Sequence, residues 1–315
     1  MSRMMQVCVI SAAAVLIAGM HGCSSSVKMA YTPTVGQTAA YESTSQLIKD
    51  FKFEQPTLNK SREEQTSTVV TVTYDQKIAE IQPDGSAIAD ITLKAVQCKM
   101  VNKNEVRYEF NSADEKNKGD ALNSIIGKSY RIAISPEGKV TVVDAAAARA
   151  AVVSGEGQKI AQKIFMDESI KERHELPLPA GDKNMISAKK TWSSVQPSPP
   201  GLLAPKTFEK IYTVSEAGKD KVVVTMAAKE SLDKPADAQS ASASSMGIFA
   251  KMFDNQDQFT GKLVMNPADG TVSEYNETLV SSYVAQEKPQ NAPADAAPDT
   301  LLMQLTYSIS LKKLN

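Results

Sequence analysis

From Leu301 to Leu311 the chain alternates strictly. Leu301, Met303, Leu305, Tyr307, Ile309 and Leu311 take every second place, and Gln304, Thr306, Ser308, Ser310 and Lys312 lie on the other parity. Successive side chains of an extended strand leave on opposite faces, so this pattern buries one face and wets the other. On a helix the same six residues would be spread around the axis. The pattern recurs between Lys128 and Asp144. There Tyr130, Ile132 and Ile134 alternate with Arg131, Ala133 and Ser135, and Pro136-Glu137-Gly138 reverses the chain into Val140, Val142 and Val143. Proline presets φ and glycine accepts φ > 0, the two requirements of such a turn.

A related hairpin follows far downstream, with Thr260 to Met265, the turn Asn266-Pro267-Ala268-Asp269-Gly270, then Thr271 and Val272. Each of the two has another strand–turn–strand unit before it. The first runs through Val70, Val72 and Tyr74, the turn Pro83-Asp84-Gly85, then Ile91 and Leu93. The second runs through Ile211 and Tyr212, the turn Glu216-Ala217-Gly218, then Val222, Val224 and Met226. Gly85 and Gly138 are 53 residues apart, Gly218 and Gly270 are 52. The matched spacing suggests an internal duplication with a period near 130 residues. The alternative is that glycine turns recur by chance in any meander.

Between these hairpins the remaining elements are expected in order. Leu47 to Phe53 reads as a short first strand, and Val106, Tyr108 and Phe110 mark a third strand after the first hairpin. Asp114 to Ile126 reads as helical, with Gly127 as its stop. Ala145 to Val153 and Gln158 to Glu172 are helix-prone, and Gly155 and Gly157 break the pair. A strand is expected to end at Trp192, and Pro197-Ser198-Pro199-Pro200-Gly201 is the expected connector between halves. Met246 to Phe253 reads as a short helix, and Gln286 to Asp299 as a proline-bearing loop.

The N-terminus carries one basic residue, Arg3, then an apolar run from Val7 to Met20, too short for a permanent membrane span. It ends in Met20-His21-Gly22-Cys23, followed by Ser24-Ser25-Ser26. This resembles the lipobox of bacterial lipoproteins, which implies lipidation of Cys23 as the first mature residue. The other reading is an ordinary signal cleaved near Ser24 to Ser26. Without residues 1–22 the chain holds 34 basic against 36 acidic residues, a balance that favours neither nucleic acid nor an anionic surface. Residues 23–45 read as a flexible tether, 46–196 as a first β-rich repeat with helices, and 197–315 as a second. With Cys23 acylated, Cys98 has no partner, so the core must hold without a disulfide.

The expected fold is therefore mainly β with helices (α+β): an antiparallel curved sheet or half-barrel covered by helices. Gly127-Lys128-Ser129-Tyr130, followed by Ile132, Ile134, Pro136, Gly138 and Val140, resembles an uncharacterised family of exported bacterial lipoproteins. Leu176-Pro177-Leu178-Pro179 and Trp192 extend that likeness. The expected architecture is also similar to the half-barrels of periplasmic lipoprotein carriers.

Catalytic patterns are thin. The sequence has no H-E-x-x-H, G-x-S-x-G, P-loop or C-x-x-C pattern. His174 sits at a predicted helix end, where a cation suits the helix dipole. Cys98 lies among strand residues and reads as an inert thiol. Asp84, Asp269 and Glu137 read as turn formers. No cofactor or metal is expected. The expected function is a membrane-anchored envelope lipoprotein, not an enzyme, holding a lipid or other apolar ligand among Phe249, Met252, Phe253, Leu305 and Tyr307. The alternative is a structural or assembly lipoprotein with a self-filled core, acting through surface contacts.

Overall fold

The computed structural model of the chain describes residues 26–233, 252–289, 293 and 295–314. In chain order, β1 (Val27–Lys28) precedes β2 (Thr38–Gln55), β3 (Lys60–Ile81), β4 (Ala87–Asn102), β5 (Glu105–Asn111), β6 (Ser129–Ile134) and β7 (Val140–Asp144). Three short helices come next, α1 (Ala146–Ala150), α2 (Gln158–Ile164) and α3 (Asp167–His174). Then follow β8 (Met185–Ile186), β9 (Thr191–Pro197), β10 (Thr207–Ala217) and β11 (Val222–Ser231). The chain closes on β12 (Asp254–Met265), β13 (Val272–Glu287) and β14 (Asp299–Leu314).

Twelve of these strands form one antiparallel sheet in the order β7-β6-β4-β3-β2-β14-β13-β12-β11-β10-β9, with β5 added beside β4. The sheet is not closed into a barrel, since β7 and β9 stand at its two ends. Its middle is the pairing of β2 with β14, in register from Leu314↔Ala40 to Thr300↔Glu54. The mainly-β expectation holds.

Several finer expectations do not. Residues 27–45 are no tether: they hold β1, a connecting segment and the first part of β2, and Met29, Ala30, Tyr31 and Tyr41 are buried. The short strand expected at Leu47 to Phe53 is the middle of an 18-residue strand. Ser43 and Ser45 hid it from a hydrophobicity pattern, because they sit on the core face among larger neighbours. The stretch Asp114 to Ile126 forms two 3-10 turns, Glu115–Asn117 and Ala121–Ile125, in place of an α-helix. The Pro197–Gly201 segment lies inside a hairpin, because β9 pairs with β10, and so does not divide the halves. The helix expected at Met246 to Phe253 falls mostly outside the described residues, and Met252 and Phe253 are in a turn.

The duplication is not established by the topology. β3-β4-β6-β7 and β10-β11-β12-β13 are both meanders in chain order. Yet Gly85, Gly138 and Gly270 have positive φ and Gly218 does not. Among the described residues, β5 and the three helices have no counterpart in the second half.

The expected cover of helices over the sheet is not established. Helix α1 packs on β6 and α3 on β7, at one side of the sheet. Elsewhere the cover is extended chain. Met29 is fully buried, and the Tyr31 N–H donates to the Pro136 carbonyl (2.9 Å) while the Thr32 N–H donates to the Asp269 carbonyl (3.2 Å). One N-terminal strap therefore ties the β6–β7 turn to the β12–β13 turn. Both turns depend on their glycines: a Cβ on Gly138 would meet the Leu176 carbonyl oxygen at 2.5 Å, and one on Gly270 would strike the Ala30 carbonyl oxygen.

Candidate functional site

Residues paired across neighbouring strands share a face, so the inner face of β2, β14, β13 and β12 is read in rows. One row is Leu47, Tyr307, Leu279 and Phe259. A row toward the strap is Ser45, Ile309, Glu277 and Gly261. In the opposite direction come Lys49, Leu305, Ser281 and Asp257, then Phe51, Met303, Tyr283 and Asn255, then Phe53, Leu301 and Ala285.

A buried ion pair stands on this face. Lys210 on β10 and Glu277 on β13 are 6% and 3% exposed, and Lys210 Nζ stands 2.5 Å from Glu277 Oε2. The Tyr275 hydroxyl donates to Glu277 Oε1 (2.5 Å), and Lys210 Nζ also lies 4.7 Å from the centre of the Phe259 ring. Gly261 makes the reach possible, because a Cβ there would sit 3.2 Å from Glu277 Cγ. Burial and the Glu277 carboxylate push the Tyr275 hydroxyl well above its ordinary pKa. The pair ties β10 to β13 across two intervening strands. The sequence held a signal for it: Lys210 and Glu277 interrupt the apolar parity of Phe208, Tyr212 and Val214, and of Tyr275 and Leu279.

A second polar group stands nearer the open end. Lys206 Nζ lies 2.6 Å from Asp257 Oδ2 and 3.0 Å from Glu230 Oε2, and also contacts Asn255. Burial alone would lower the Lys206 pKa, but Asp257 and Glu230 outweigh it and raise it. The Ser281 hydroxyl donates to Asp257 Oδ1 (2.5 Å).

Beyond this polar row the inner face turns apolar again. Phe51, Phe53, Leu301 and Met303 are half-buried and stand outside the apolar core, which ends at the row of Leu305. They form a ledge beside Tyr283, against which the Phe253 ring packs edge-on at 6.4 Å. Of the expected ligand-lining residues, Phe249 lies outside the described residues and Met252 is 67% exposed. Leu305 and Tyr307 are core residues at 4% and 8% exposure, and the Tyr307 hydroxyl is bonded to Glu172. Of two shallow surface depressions, one of about 430 Å³ lies elsewhere, among Arg149, Phe165 and Met166, and one of about 420 Å³ adjoins the ledge at Phe51, between Asp50, Glu63 and Leu302.

His174 is not a helix-end cation. It is buried between two hydroxyls, with Nε2 2.7 Å from Tyr130 Oη and Nδ1 3.3 Å from Tyr74 Oη. Arg173 also donates to the Tyr130 oxygen (2.9 Å), and the tautomer of His174 sets the direction of its two bonds. Burial, then the Arg173 charge, holds the His174 pKa well below its ordinary value, so the ring is neutral. Cys98 is buried at 3% exposure, and burial followed by the Asp120 charge raises its pKa to about 12, as an unreactive thiol requires. Asp84 and Asp269 act as turn formers, their carboxylates accepting from the N–H groups of Ser86 (2.9 Å) and Thr271 (2.8 Å).

Fold and side chains together define a class: an antiparallel β protein built on one large open sheet, with β1 and β8 paired apart from it, a buried ion pair and a half-exposed apolar ledge. The family is defined by sequence. Residues 84–272, more than half of the chain, match a family of unknown function, DUF6263, and the chain belongs to it. No curated protein matches. Among solved structures, a lipovitellin titled for its lipid–protein interactions aligns with 90% of this chain and 25% of its own, at 8% identity and a TM-score of 0.43. The chain thus spans about a quarter of lipovitellin. DynF from the dynemicin pathway of Micromonospora chersina aligns at 8% identity over 91% of this chain and 85% of its own, with a TM-score of 0.14. OpdQ of Pseudomonas aeruginosa aligns at 7% identity over 88% and 98%, with a TM-score of 0.16. Among the described residues no helix is long and apolar enough to cross a membrane.

Proposed function

We propose that the protein is a lipid-anchored component of the bacterial cell envelope that binds an acyl chain or another apolar ligand without catalysis. The observation that carries this reading is the ledge of Phe51, Phe53, Leu301 and Met303, where the core face continues past the core with its apolar side chains half-exposed. Such a surface gains roughly 25 cal/mol for each Å² removed from water, and an alkyl chain supplies the cover without needing polar partners. Lys206 and Asp257 border it and suit the polar end of an amphiphile. Anchoring rests on Cys23, and the shared meander order of the two strand quartets supports an origin by duplication.

A titration with a fluorescent fatty acid tests the ledge. Saturable binding is expected, weakened about tenfold or more in a Phe51→Asp, Met303→Asp double variant that still melts cooperatively above the assay temperature. A double variant that binds as the parent chain does removes the ledge as the site. Intact-mass analysis of the exported chain tests the anchor: two or three acyl chains on Cys23 hold firmly, so Cys23→Ser releases the protein from membranes. The structural alternative is favoured by one observation, the burial of Leu305 and Tyr307 inside a filled core. It predicts no saturable uptake of fatty acid.

A further inference from the structure

Strand β9 ends one side of the sheet, and among the described residues β10 is its strand partner. The hydrogen bond from the Ser198 N–H to the Lys206 carbonyl (2.8 Å) fixes the phase of that ladder. Every second pair onward is then mutually bonded: Gln196 with Phe208, Ser194 with Lys210, Trp192 with Tyr212. The N–H and C=O groups of Thr191, Ser193 and Val195 point away from β10, as does the carbonyl of Pro197. Pro197 occupies an outward position, where its missing N–H removes no ladder bond.

The other edges are protected. On β7, the Ser135–Lys139 bond (2.9 Å) likewise turns the Val140 N–H outward, and there Glu175 Oε1 accepts it (3.4 Å). Leu176 adds a bond from its N–H to the Gly138 carbonyl (3.0 Å), and α3 packs alongside. Strand β5 carries Glu105, Arg107 and Glu109, with Arg107 paired to Glu105 and Lys99 to Glu109. Charges and caps of this kind keep sheet edges from pairing. From Thr191 to Pro197 there is no charged side chain, and among the described residues nothing accepts from the N–H groups of Thr191, Ser193 or Val195.

We propose that β9 pairs antiparallel with β9 of a second copy of this chain, across a two-fold axis at Ser194, so that one sheet runs through both molecules. The strand is its own complement. That axis sets Ser193 opposite Val195 of the second copy and Thr191 opposite its Pro197, so every outward residue meets an outward residue. About six main-chain hydrogen bonds form, two for each Ser193–Val195 pair and one for each Thr191–Pro197 pair. Pro197 closes the ladder at both ends. Ser194 lies beside Ser194 of the second copy and Trp192 beside its Gln196, so no like charges are opposed.

Sedimentation equilibrium of the purified chain over a range of concentrations tests the pairing, with Val195→Pro as the variant. Val195 makes no N–H bond to β10, so the substitution removes an outward donor and leaves the hairpin intact. The expected result is a concentration-dependent dimer whose dissociation constant rises roughly tenfold or more in Val195→Pro. Val195→Lys, which keeps the backbone donor but adds like charges near the axis, weakens it as well. Unchanged circular dichroism and melting temperature show that both variants fold. A parent chain that stays monomeric at its solubility limit overturns the proposal. So does a dimer that both variants leave unaffected. A monomer that binds an added peptide of unrelated extended sequence at this edge overturns it too, in favour of a foreign strand.

Discussion

At the scale of the residue, His174 shows how burial decides chemistry. A helix-end histidine reads as a surface cation, but here it is hydrogen-bonded to Tyr130 on one side and Tyr74 on the other, with the Arg173 charge close by. Tyr41 packs on Tyr74, and Glu172 is engaged with Tyr307. The folded pKa lies below the ordinary value, so below about pH 6.5 the unfolded chain binds a proton that the folded one refuses. Stability contributed by neutral His174 is thus complete above pH 6.5 and falls as pH drops, by up to about 1.4 kcal/mol per pH unit. A His174→Phe variant should lose part of that slope between pH 6.5 and 4.5 in urea midpoints, against a parent measured alongside. Identical slopes would show that the ring is charged when folded. The Lys210–Glu277 pair makes a matching case. Lys210→Met alone leaves a buried carboxylate and should cost about 3–5 kcal/mol, while adding Glu277→Leu should recover most of it. Equal unfolding free energies for the single and double variants would count against the pairing.

At the scale of the element, β14 carries the cleanest alternation, and its outcome is mixed along its length. Leu305, Tyr307 and Leu311 are buried, whereas residues 301–304 are half-buried on both faces because the core ends there. Burial therefore follows parity only where a neighbouring layer exists to cover the strand. Leu305→Ala should cost about 2–5 kcal/mol by leaving a cavity beside Gly201 and Lys49, and Thr306→Ala well under half of that. Met303→Ala, at the same parity on the ledge, should fall between them. Equal shifts of the urea midpoint for Leu305→Ala and Thr306→Ala would mean that β14 is not buried on one side.

At the scale of the molecule, the first and last long strands meet in the middle of the sheet. β14 pairs with β2 along one side and β13 along the other, so the sheet is held as one body by contacts between residues about as far apart as the chain allows. Deleting residues after Asp299 would not trim a frayed end. It would cut the sheet in two and expose the edges of β2 and β13, each 16 or more residues long. Such a chain should aggregate without a cooperative thermal transition. A soluble, cooperatively melting truncation would show that each half stands alone.

The strands were legible in the sequence because period two is a local property. Tyr130, Ile132 and Ile134, or Leu305 and Tyr307, announce a buried face whatever lies opposite. The glycine turns were legible for the same reason, and Gly85, Gly138 and Gly270 do take φ > 0. Which strands become neighbours was not local. The β2–β14 pairing depends on main-chain groups that every residue carries alike, so no residue type marks it. The burial of residues 29–31 was hidden too, since Met29-Ala30-Tyr31 is too short to show a period and is buried only because two distant turns converge on it. The charged residues lie between these cases. Lys210 and Glu277 stood out as breaks in an apolar pattern, but only the fold, with Gly261 leaving room between them, brings the ammonium to the carboxylate.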